Sequence, residues 1–297
     1  MQEPVSIKIL FVINPGSGGK KKGEWDIAIR DYFKDLPHVI EYYSLGSDDD
    51  QNAVKRLLSE FKPDRIVAVG GDGTVTMLAK EVRDTEIALG ILPAGSANGM
   101  AAELDIPVNL SEALNIVVNG EVRKVDLIQI NDQICLHLSD IGLNAQLIKY
   151  FDEGKLRGKL GYAKVMFKVL WNKEKMPVIV CTKDQEVRRN AFMVVIANAS
   201  KYGFGTVINP EGTIDDGIFE VVIIRKLALS ELLKMIFKPQ PFNPKKIELF
   251  RAKSVSIETR HRVHFQVDGE YLGKVKKIQG KILPSAINMI LPRRMEN

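Results

Sequence analysis

The sequence is poor in the residues that build disulfide frameworks and metal clusters. It contains two cysteines, Cys135 and Cys181, and four histidines among 297 residues. It has neither a paired-cysteine motif nor a histidine cluster, so no zinc or iron site is predicted. Two cysteines in apolar, strand-like surroundings favour buried free thiols in a reducing compartment, and we expect a cytoplasmic protein.

Long apolar runs are also missing. No uninterrupted stretch approaches the roughly 18 residues that a membrane-spanning helix needs, and residues 1–13 have the pattern of a first strand rather than a secretory leader. The composition, 45% hydrophobic and 27% charged, is that of an ordinary globular protein. The net charge of +5 fits an anionic partner, whether a nucleotide, an acidic membrane surface or a nucleic acid.

The most informative stretch lies between residues 65 and 82. An apolar run, Ile66–Val69, stops at Gly70-Gly71-Asp72-Gly73-Thr74, and apolar residues then recur with the period of a helix face. The pattern predicts a strand, a tight glycine turn and a helix. Free N–H groups at such a turn suit a phosphate, with Asp72 directed at Mg²⁺ or at a hydroxyl. An ordinary turn in which Asp72 serves as a cap is the alternative.

The same alternation continues through the first part of the chain. Further apolar strands are predicted at residues 7–13, 39–43 and 87–92. A helix is predicted to begin with Ser111 as its N-cap. This order predicts a parallel sheet with helices on both faces, and ligands bind such sheets at the carboxyl ends of the strands. The glycine-rich loops at 14–19, 70–74 and 95–99 fall at those ends, which favours a phosphate site.

From about residue 125 short extended runs dominate, and they predict an antiparallel sheet or sandwich. These runs are 125–130, 134–139, 178–182, 192–198, 218–224, 254–258 and 263–267. Two helical pieces are expected near 156–171 and 230–237. The predicted organisation is an α/β nucleotide-binding domain at 1–125, a β-sandwich domain at 126–281, and a segment at 282–297 that returns to the first domain.

Five motifs in a fixed order carry a resemblance to a known family. They are Asn14-Pro-Gly-Ser-Gly-Gly19, the loop at 70–74, Pro93-Ala-Gly-Ser-Ala-Asn98, Thr213-Ile-Asp-Asp-Gly-Ile218 and Gln266-Val-Asp-Gly-Glu270. Over nearly the whole chain this order resembles the catalytic domain of diacylglycerol kinases, their bacterial soluble lipid-kinase relatives, and sphingosine and ceramide kinases. The resemblance implies an active site in the cleft between the two domains. It also implies ATP- and Mg²⁺-dependent transfer of phosphate to a primary hydroxyl of diacylglycerol or a related lipid.

The resemblance also assigns roles to individual residues. The loop Gly70-Gly71-Asp72-Gly73-Thr74 would hold the ATP phosphates, with Asp72 organising phosphate or Mg²⁺. Further nucleotide contacts would come from Asn14, Ser44 and Ser96. Glu270 would be the general base on the lipid hydroxyl, and Asp126 and Asp268 are grouped with it as catalytic residues.

Two of the five motifs have simpler interpretations. Asp268-Gly269 is also a common hairpin-turn dipeptide, in which case Glu270 would be an ordinary surface strand residue. Asp215-Asp216-Gly217 is likewise an ordinary turn in its simpler interpretation. The resemblance implies a structural Mg²⁺ at this turn, held by the Asp216 side chain and by the backbone oxygens of Thr213 and Ile218. Ligands that are all oxygen suit that ion.

Departures from the family pattern leave other functions open. Val75-Thr76-Met77 follows the phosphate loop where relatives often carry Leu-Asn-Glu, and Gly99 stands where they often carry an acid. The alternatives are a sphingoid-base or ceramide kinase, a soluble enzyme like NAD kinase, and a non-catalytic nucleotide- or lipid-binding relative.

The expected partners are ATP and a lipid at the membrane surface; a nucleic acid is not expected, and a homodimer is left open. The stretch Lys149–Lys175 mixes basic with apolar residues. It fits either peripheral contact with an anionic bilayer or a core-packing helix with a solvated basic face.

Overall fold

A computed structural model describes residues 6–17, 24–95, 98–153, 174–198, 201–202, 206–207, 212–226 and 245–293. The chain divides into two compact units. Unit 1 comprises residues 1–125 and 285–297, and unit 2 comprises residues 126–284. The chain passes from one unit to the other within two strands, β5 (Glu121–Ile130) and β16 (Glu270–Leu291).

Unit 1 is built on a parallel sheet. Its strands are β1 (Lys8–Ile13), β2 (Val39–Ser44), β3 (Arg65–Gly70) and β4 (Ala88–Pro93), together with the end of β16. The order across the sheet is β16-β4-β3-β1-β2, and each neighbouring pair is parallel. Strands β1, β3 and β4 are near-continuous apolar runs whose side chains are almost all buried, as expected of parallel strands covered on both faces.

Helices connect these strands. They are α1 (Glu24–Phe33), α2 (Asp50–Phe61), α3 (Asp72–Val82), α4 (Gly99–Glu103) and α5 (Leu110–Asn119). Helix α3 buries Val75, Leu78 and Val82, the residues whose spacing predicted it. The N-cap of helix α5 lies two residues earlier than predicted. Its N-cap is Asn109, whose side chain accepts a hydrogen bond from the Glu112 amide at 3.1 Å, and Ser111 lies inside the helix.

Unit 2 is an antiparallel β-sandwich. Its strands and one helix are β6 (Gln133–Cys135), β7 (Leu138–Gly142), α6 (Leu143–Glu153), β8 (Met176–Thr182), β9 (Glu186–Ala191), β10 (Met193–Ala197), β11 (Lys201–Tyr202), β12 (Thr206–Val207), β13 (Phe219–Ile224), β14 (Ile247–Ala252) and β15 (Ser254–Val267), with the first part of β16. Side chains from β7, β8, β10, β13 and β15 form one continuous apolar core.

Strand β15 links the two faces of this unit. Its first half pairs with β8 and its second half with β7. A shift of register between Glu258 and Val263 marks an irregularity at which the strand changes partner. The sequence predicted two separate strands here, because the polar residues between them interrupt the apolar pattern.

Two expectations concern regions beyond the description. The predicted helices near 156–171 and 230–237 both lie outside the described residues. Within the described part of the chain, no helix has the length and apolar character needed to cross a membrane.

Candidate active site

The ends of three strands of unit 1 bring the glycine-rich loops together. Ile13 at the end of β1 pairs with Val69, and Gly70 at the end of β3 pairs with Pro93 at the end of β4. Backbone hydrogen bonds continue beyond the strands, from the Asn14 amide to the Val69 carbonyl and from the Ala94 amide to the Gly70 carbonyl, both at 2.9 Å. The three loops therefore begin side by side at one edge of the sheet.

Asn14 connects the first loop to the second. Its Nδ2 donates to Oγ1 of Thr74 at 3.3 Å, and its Oδ1 accepts a hydrogen bond from the Gly16 amide at 3.0 Å. Thr74 itself is buried, and its amide donates to the Gly71 carbonyl at 3.0 Å. Asn14 and Thr74, both predicted to contact the nucleotide, thus hold the first and second loops together.

Asp72 connects the second loop to the third. Its two carboxylate oxygens accept hydrogen bonds from the amides of Gly99 at 3.0 Å and Met100 at 2.9 Å. Those amides belong to the first turn of α4 and have no partner within the helix. Asp72 therefore caps α4, a neighbouring helix, whereas the sequence had suggested either a ligand or a cap on its own turn.

The second and third loops approach each other so closely that only glycine fits. A Cβ placed on Gly95 would lie 2.5 Å from the Cα of Gly71 and 2.8 Å from Oδ1 of Asn98. Real Cβ atoms do not approach a backbone carbon so closely. The Asn98 side chain also accepts from the Gly95 amide at 2.8 Å. Ser96, the residue predicted to contact the nucleotide from this loop, lies outside the described residues.

The loop after β2 reaches the same edge of the sheet. Ser44 is exposed and pairs with Ile13, and the Leu45 amide donates to the Ile13 carbonyl at 2.8 Å. Asp50, which sequence reasoning missed, fixes this loop by accepting hydrogen bonds from the Tyr43 hydroxyl and the Gly46 amide. Although burial acts in the opposite direction, these bonds lower the pKa of Asp50.

In unit 2, Asp268 locks the hairpin that carries Glu270. Asp268 has a left-handed backbone (φ 48°), and its carboxylate accepts hydrogen bonds from the amides of Leu136, His137 and Leu138 at 2.8 to 3.0 Å. Glu270 is exposed and pairs with Val267 through its backbone, and its side chain makes no hydrogen bond or ion pair with another described residue. The two acids of this motif therefore have different environments: one is bound to backbone amides and one is open to solvent.

A buried polar network lies beneath this hairpin, and sequence reasoning missed it. Gln266 accepts from the Gly269 amide at 2.7 Å and donates to Asp140 at 2.5 Å. Asp140 also accepts from the Asn144 side chain at 2.6 Å and from the Ala145 amide at 2.9 Å. The only available signal was a run of polar residues, Ser139 and Asp140, inside an otherwise apolar strand.

Asp126 contacts the turn predicted to hold a metal. It is 2% exposed; its amide donates to the Ile214 carbonyl at 2.8 Å and its carboxylate accepts from the Gly217 amide at 2.6 Å. Asp216 on this turn is exposed, and its Oδ1 accepts from the Ile218 amide at 3.2 Å. The donors here are all oxygens, which is compatible with Mg²⁺. Among the described residues no three His, Cys, Asp or Glu side chains cluster as a metal site.

Two family descriptions together match almost the entire chain. The diacylglycerol kinase catalytic domain matches residues 8–130, and the YegS C-terminal NAD kinase beta sandwich-like domain matches residues 139–291. The chain belongs to the bacterial diacylglycerol and lipid kinase family. It is accordingly a kinase whose phosphate acceptor is an alcohol group.

Curated relatives of this lipid kinase family align over most of their length. A YegS-like lipid kinase from Yersinia enterocolitica is 28% identical, with 97% of this chain and 98% of that protein covered. A diacylglycerol kinase from Bacillus subtilis is 27% identical, with 77% of each chain covered.

Solved structures have the same fold. A diacylglycerol kinase from Bacillus anthracis aligns with a TM-score of 0.74 and 21% identity, and the alignment covers 96% of each chain. An NAD kinase from Archaeoglobus fulgidus in complex with ATP aligns with a TM-score of 0.54 and 14% identity, covering 95% of this chain and 93% of that one. These matches confirm the predicted fold class, an α/β domain like that of NAD kinase followed by a β-sandwich.

Proposed function

We propose that this protein is an ATP- and Mg²⁺-dependent lipid kinase that phosphorylates a primary hydroxyl of diacylglycerol or a closely related lipid. The observation that carries the proposal is the joining of three glycine-rich loops at the carboxyl edge of the unit 1 sheet through Asn14, Thr74 and Asp72. The names of the curated relatives, diacylglycerol kinase and lipid kinase, support the substrate class.

The loops of unit 1 would bind the triphosphate. Gly73 is exposed at the start of α3, and a Cβ at this position would meet nothing within 4 Å. A phosphate can therefore approach the first amides of α3, which point away from the helix toward the ligand. Asp72 would support this site by holding α4 against the turn, and Ser44 and Ser96 would add contacts from the neighbouring loops.

Magnesium ions would have two separate roles. Bound with ATP near Asp72, the ion would offset the negative charge of the phosphates, which is the main electrostatic requirement of phosphoryl transfer. At the turn of unit 2, Asp216 with the backbone oxygens of Thr213 and Ile218 would hold a structural ion. Asp126, bound to the same turn, would then position it.

Glu270 would accept the proton of the lipid hydroxyl. Its side chain is exposed and unpaired among the described residues, so a substrate can reach it. The turn that precedes it is fixed, by the Asp268 contacts and by the Gln266 bond to the Gly269 amide. A base needs this combination of accessibility and a fixed position, because proton transfer requires hydrogen-bond distance in the bound complex.

The test is transfer of label from γ-labelled ATP, with Mg²⁺, to mixed micelles of diacylglycerol, monoacylglycerol, ceramide or sphingosine, with NAD as a soluble acceptor. We expect label in diacylglycerol or monoacylglycerol. Label only in a sphingoid lipid would correct the substrate, and label only in NAD would overturn the proposal. ATP binding without any transfer would favour a non-catalytic relative.

The base assignment has its own variant. Glu270→Gln should retain ATP affinity and lose at least about 100-fold in turnover, the lower range for a general base. Glu60→Gln, an exposed glutamate on α2, is the matched control and should behave as wild type. Turnover of Glu270→Gln close to the control would refute the role of Glu270.

A further inference from the structure

Unit 2 carries a large groove apart from the hairpin of Glu270. Its volume is about 710 Å³, within the range of small-molecule sites. Strands β8, β9 and β15 and the two residues that follow β13 form its walls. The lining residues are Lys175, Pro177, Val178, Ile179, Arg188, Arg189, Asn190, Arg225, Lys226, Glu258, Thr259 and Arg260.

The groove is strongly basic. Half of the lining residues are lysine or arginine, and Glu258 is the one acid among them. Neighbouring carboxylates neutralise part of this charge: Glu248 pairs with Arg189 at 2.7 Å and with Arg225 at 2.6 Å, and Glu186 pairs with Arg188 at 3.1 Å. Although burial acts against it, the two arginines lower the pKa of Glu248. Positive charge remains in excess after these pairs are counted.

Two cations in the groove are left for a ligand. Lys226 and Arg260 are exposed, and neither makes an ion pair with another described residue. Glu258, which lies two residues from Arg260, is engaged with Lys277 at 2.7 Å. Lys175 lies over the ring of Phe192 at 5.4 Å. Lys226 and Arg260 therefore carry charge that no described acid neutralises, and such charges would attract a phosphate group.

The groove wall is also partly apolar. Val178 is buried, Ile179 is half-buried and Pro177 is exposed beside the basic residues of β9. A surface that offers cations beside apolar side chains suits the boundary of a bilayer, where phosphate groups lie next to glycerol and acyl chains. Basic residues near such a surface each add to binding when the lipids are anionic.

We propose that this groove binds the phosphate headgroups of anionic phospholipids and so docks unit 2 on the bilayer that contains the substrate. The proposal rests on the proposed lipid-kinase function, since an enzyme of that kind must meet its acceptor at a membrane. It adds a contact surface whose lining includes neither the phosphate loops nor Glu270.

The test is sedimentation of the full chain with vesicles, without ATP. One set contains phosphatidylcholine alone and the other phosphatidylcholine mixed with phosphatidylglycerol. Wild type should bind the mixed vesicles and lose binding as salt is raised. The double variant Lys226→Gln with Arg260→Gln should weaken this binding by about 20- to 30-fold, because each removed charge lowers the affinity about fivefold.

Matched variants separate the groove from overall charge. Lys253→Gln with Lys281→Gln removes the same charge from exposed positions outside the groove lining, and should weaken binding much less. Glu258→Gln removes the acid of the groove and should tighten binding about two- to fivefold. Circular dichroism of each variant verifies that it is folded.

The outcomes are decisive for the groove. Equal losses in the two double variants, or equal binding to both vesicle types, would overturn the proposal. The proposal would also be overturned if the protein bound glycerol 3-phosphate in solution but did not bind the mixed vesicles. The ligand of the groove would then be a soluble phosphate. Sedimentation does not depend on turnover. If the chain binds the mixed vesicles but transfers no phosphate in the labelling assay, the proposed function is refuted and the proposal for the groove still stands.

Discussion

At the scale of the residue, the two acids of the Gln266–Glu270 motif lie in different environments. Asp268 is bound by three backbone amides of the neighbouring segment, whereas Glu270 is exposed. A carboxylate that accepts several N–H bonds organises the backbone around it. We therefore propose that Asp268 supports the hairpin and that Glu270 contacts the substrate.

This division predicts opposite results for two conservative variants. Asp268→Asn replaces an acceptor with a donor that faces backbone amides, and should lower the free energy of unfolding by about 1–3 kcal/mol. Glu270→Gln should leave it unchanged. Urea denaturation measures both, with Asp184→Asn, an exposed aspartate in a turn, as the control. A stable Asp268→Asn protein without turnover would contradict the supporting role and make Asp268 part of the chemistry.

Residue roles were the least predictable feature. The glycines of the phosphate loop could be identified from sequence because a strand that stops at Gly70-Gly71 needs a tight turn. The partners of Asp72 could not, because the amides of Gly99 and Met100 are 27 and 28 residues away. Their position depends on the pairing of β3 with β4. The same holds for Asp268 and its partners near Leu136, more than 100 residues away.

At the scale of the element, the second and third glycine loops behave as one packed unit. The Cα of Gly71 and the position of a Cβ on Gly95 are 2.5 Å apart, and both are backbone-linked groups that cannot rotate away. Any side chain at Gly95 must therefore separate the loops. Since Asp72 also joins these loops, separation strains its bonds to α4.

We predict that Gly95→Ala weakens ATP binding at least about tenfold and costs about 1–3 kcal/mol of stability. Gly73→Ala is the comparison for stability, because its Cβ meets nothing within 4 Å and alanine favours a helix; its melting temperature should be unchanged or slightly higher. Calorimetric titration with ATP and thermal unfolding provide the two measurements. Wild-type affinity in Gly95→Ala would mean that the contact between the loops is not required.

Elements were predictable where burial dictates the pattern. The runs Ile9–Ile13 and Ile66–Val69 are buried on both faces, and this made β1 and β3 evident from sequence. Strand β9 (Glu186–Ala191) was missed because its alternating exposed residues are Glu, Arg and Asn, which resemble a loop. Strand β14 was also missed, because Glu248 and Arg251 interrupt its apolar pattern; its exposed residues are Leu249 and Arg251.

At the scale of the whole molecule, the α/β class followed by a β-sandwich was predictable, and it is confirmed. That prediction rested on a change near residue 125, where apolar residues at helical spacing give way to short extended runs. The functional domain boundaries and the site residues stay predictions. The length of β16, 22 residues, was beyond sequence reasoning. Residues 270–284 mix polar with apolar side chains and belong to unit 2, whereas residues 285–291 are mostly apolar and belong to unit 1.

The end of β16 completes the core of unit 1. Asn288 and Met289 pair in parallel with Ala88 and Leu89 of β4, and Ile287, Met289, Ile290 and Leu291 are at most 1% exposed. Burial of such side chains contributes about 1.5–3 kcal/mol each, so this segment supplies about 6–12 kcal/mol. That amount equals the whole stability of a typical domain.

Truncation after Pro284 should therefore leave unit 1 unfolded, although residues 1–125 contain all of its helices that the structure describes. Loss of helical circular dichroism, loss of ATP binding and rapid proteolysis of residues 1–125 are the expected readouts. Truncation after Pro292 is the matched control. Among described contacts it removes the bond from Arg293 to the Asn119 carbonyl, so it should fold and bind ATP as the full chain does. If the chain cut after Pro284 bound ATP with full affinity, the last strand would be an accessory to the nucleotide-binding fold rather than part of its core.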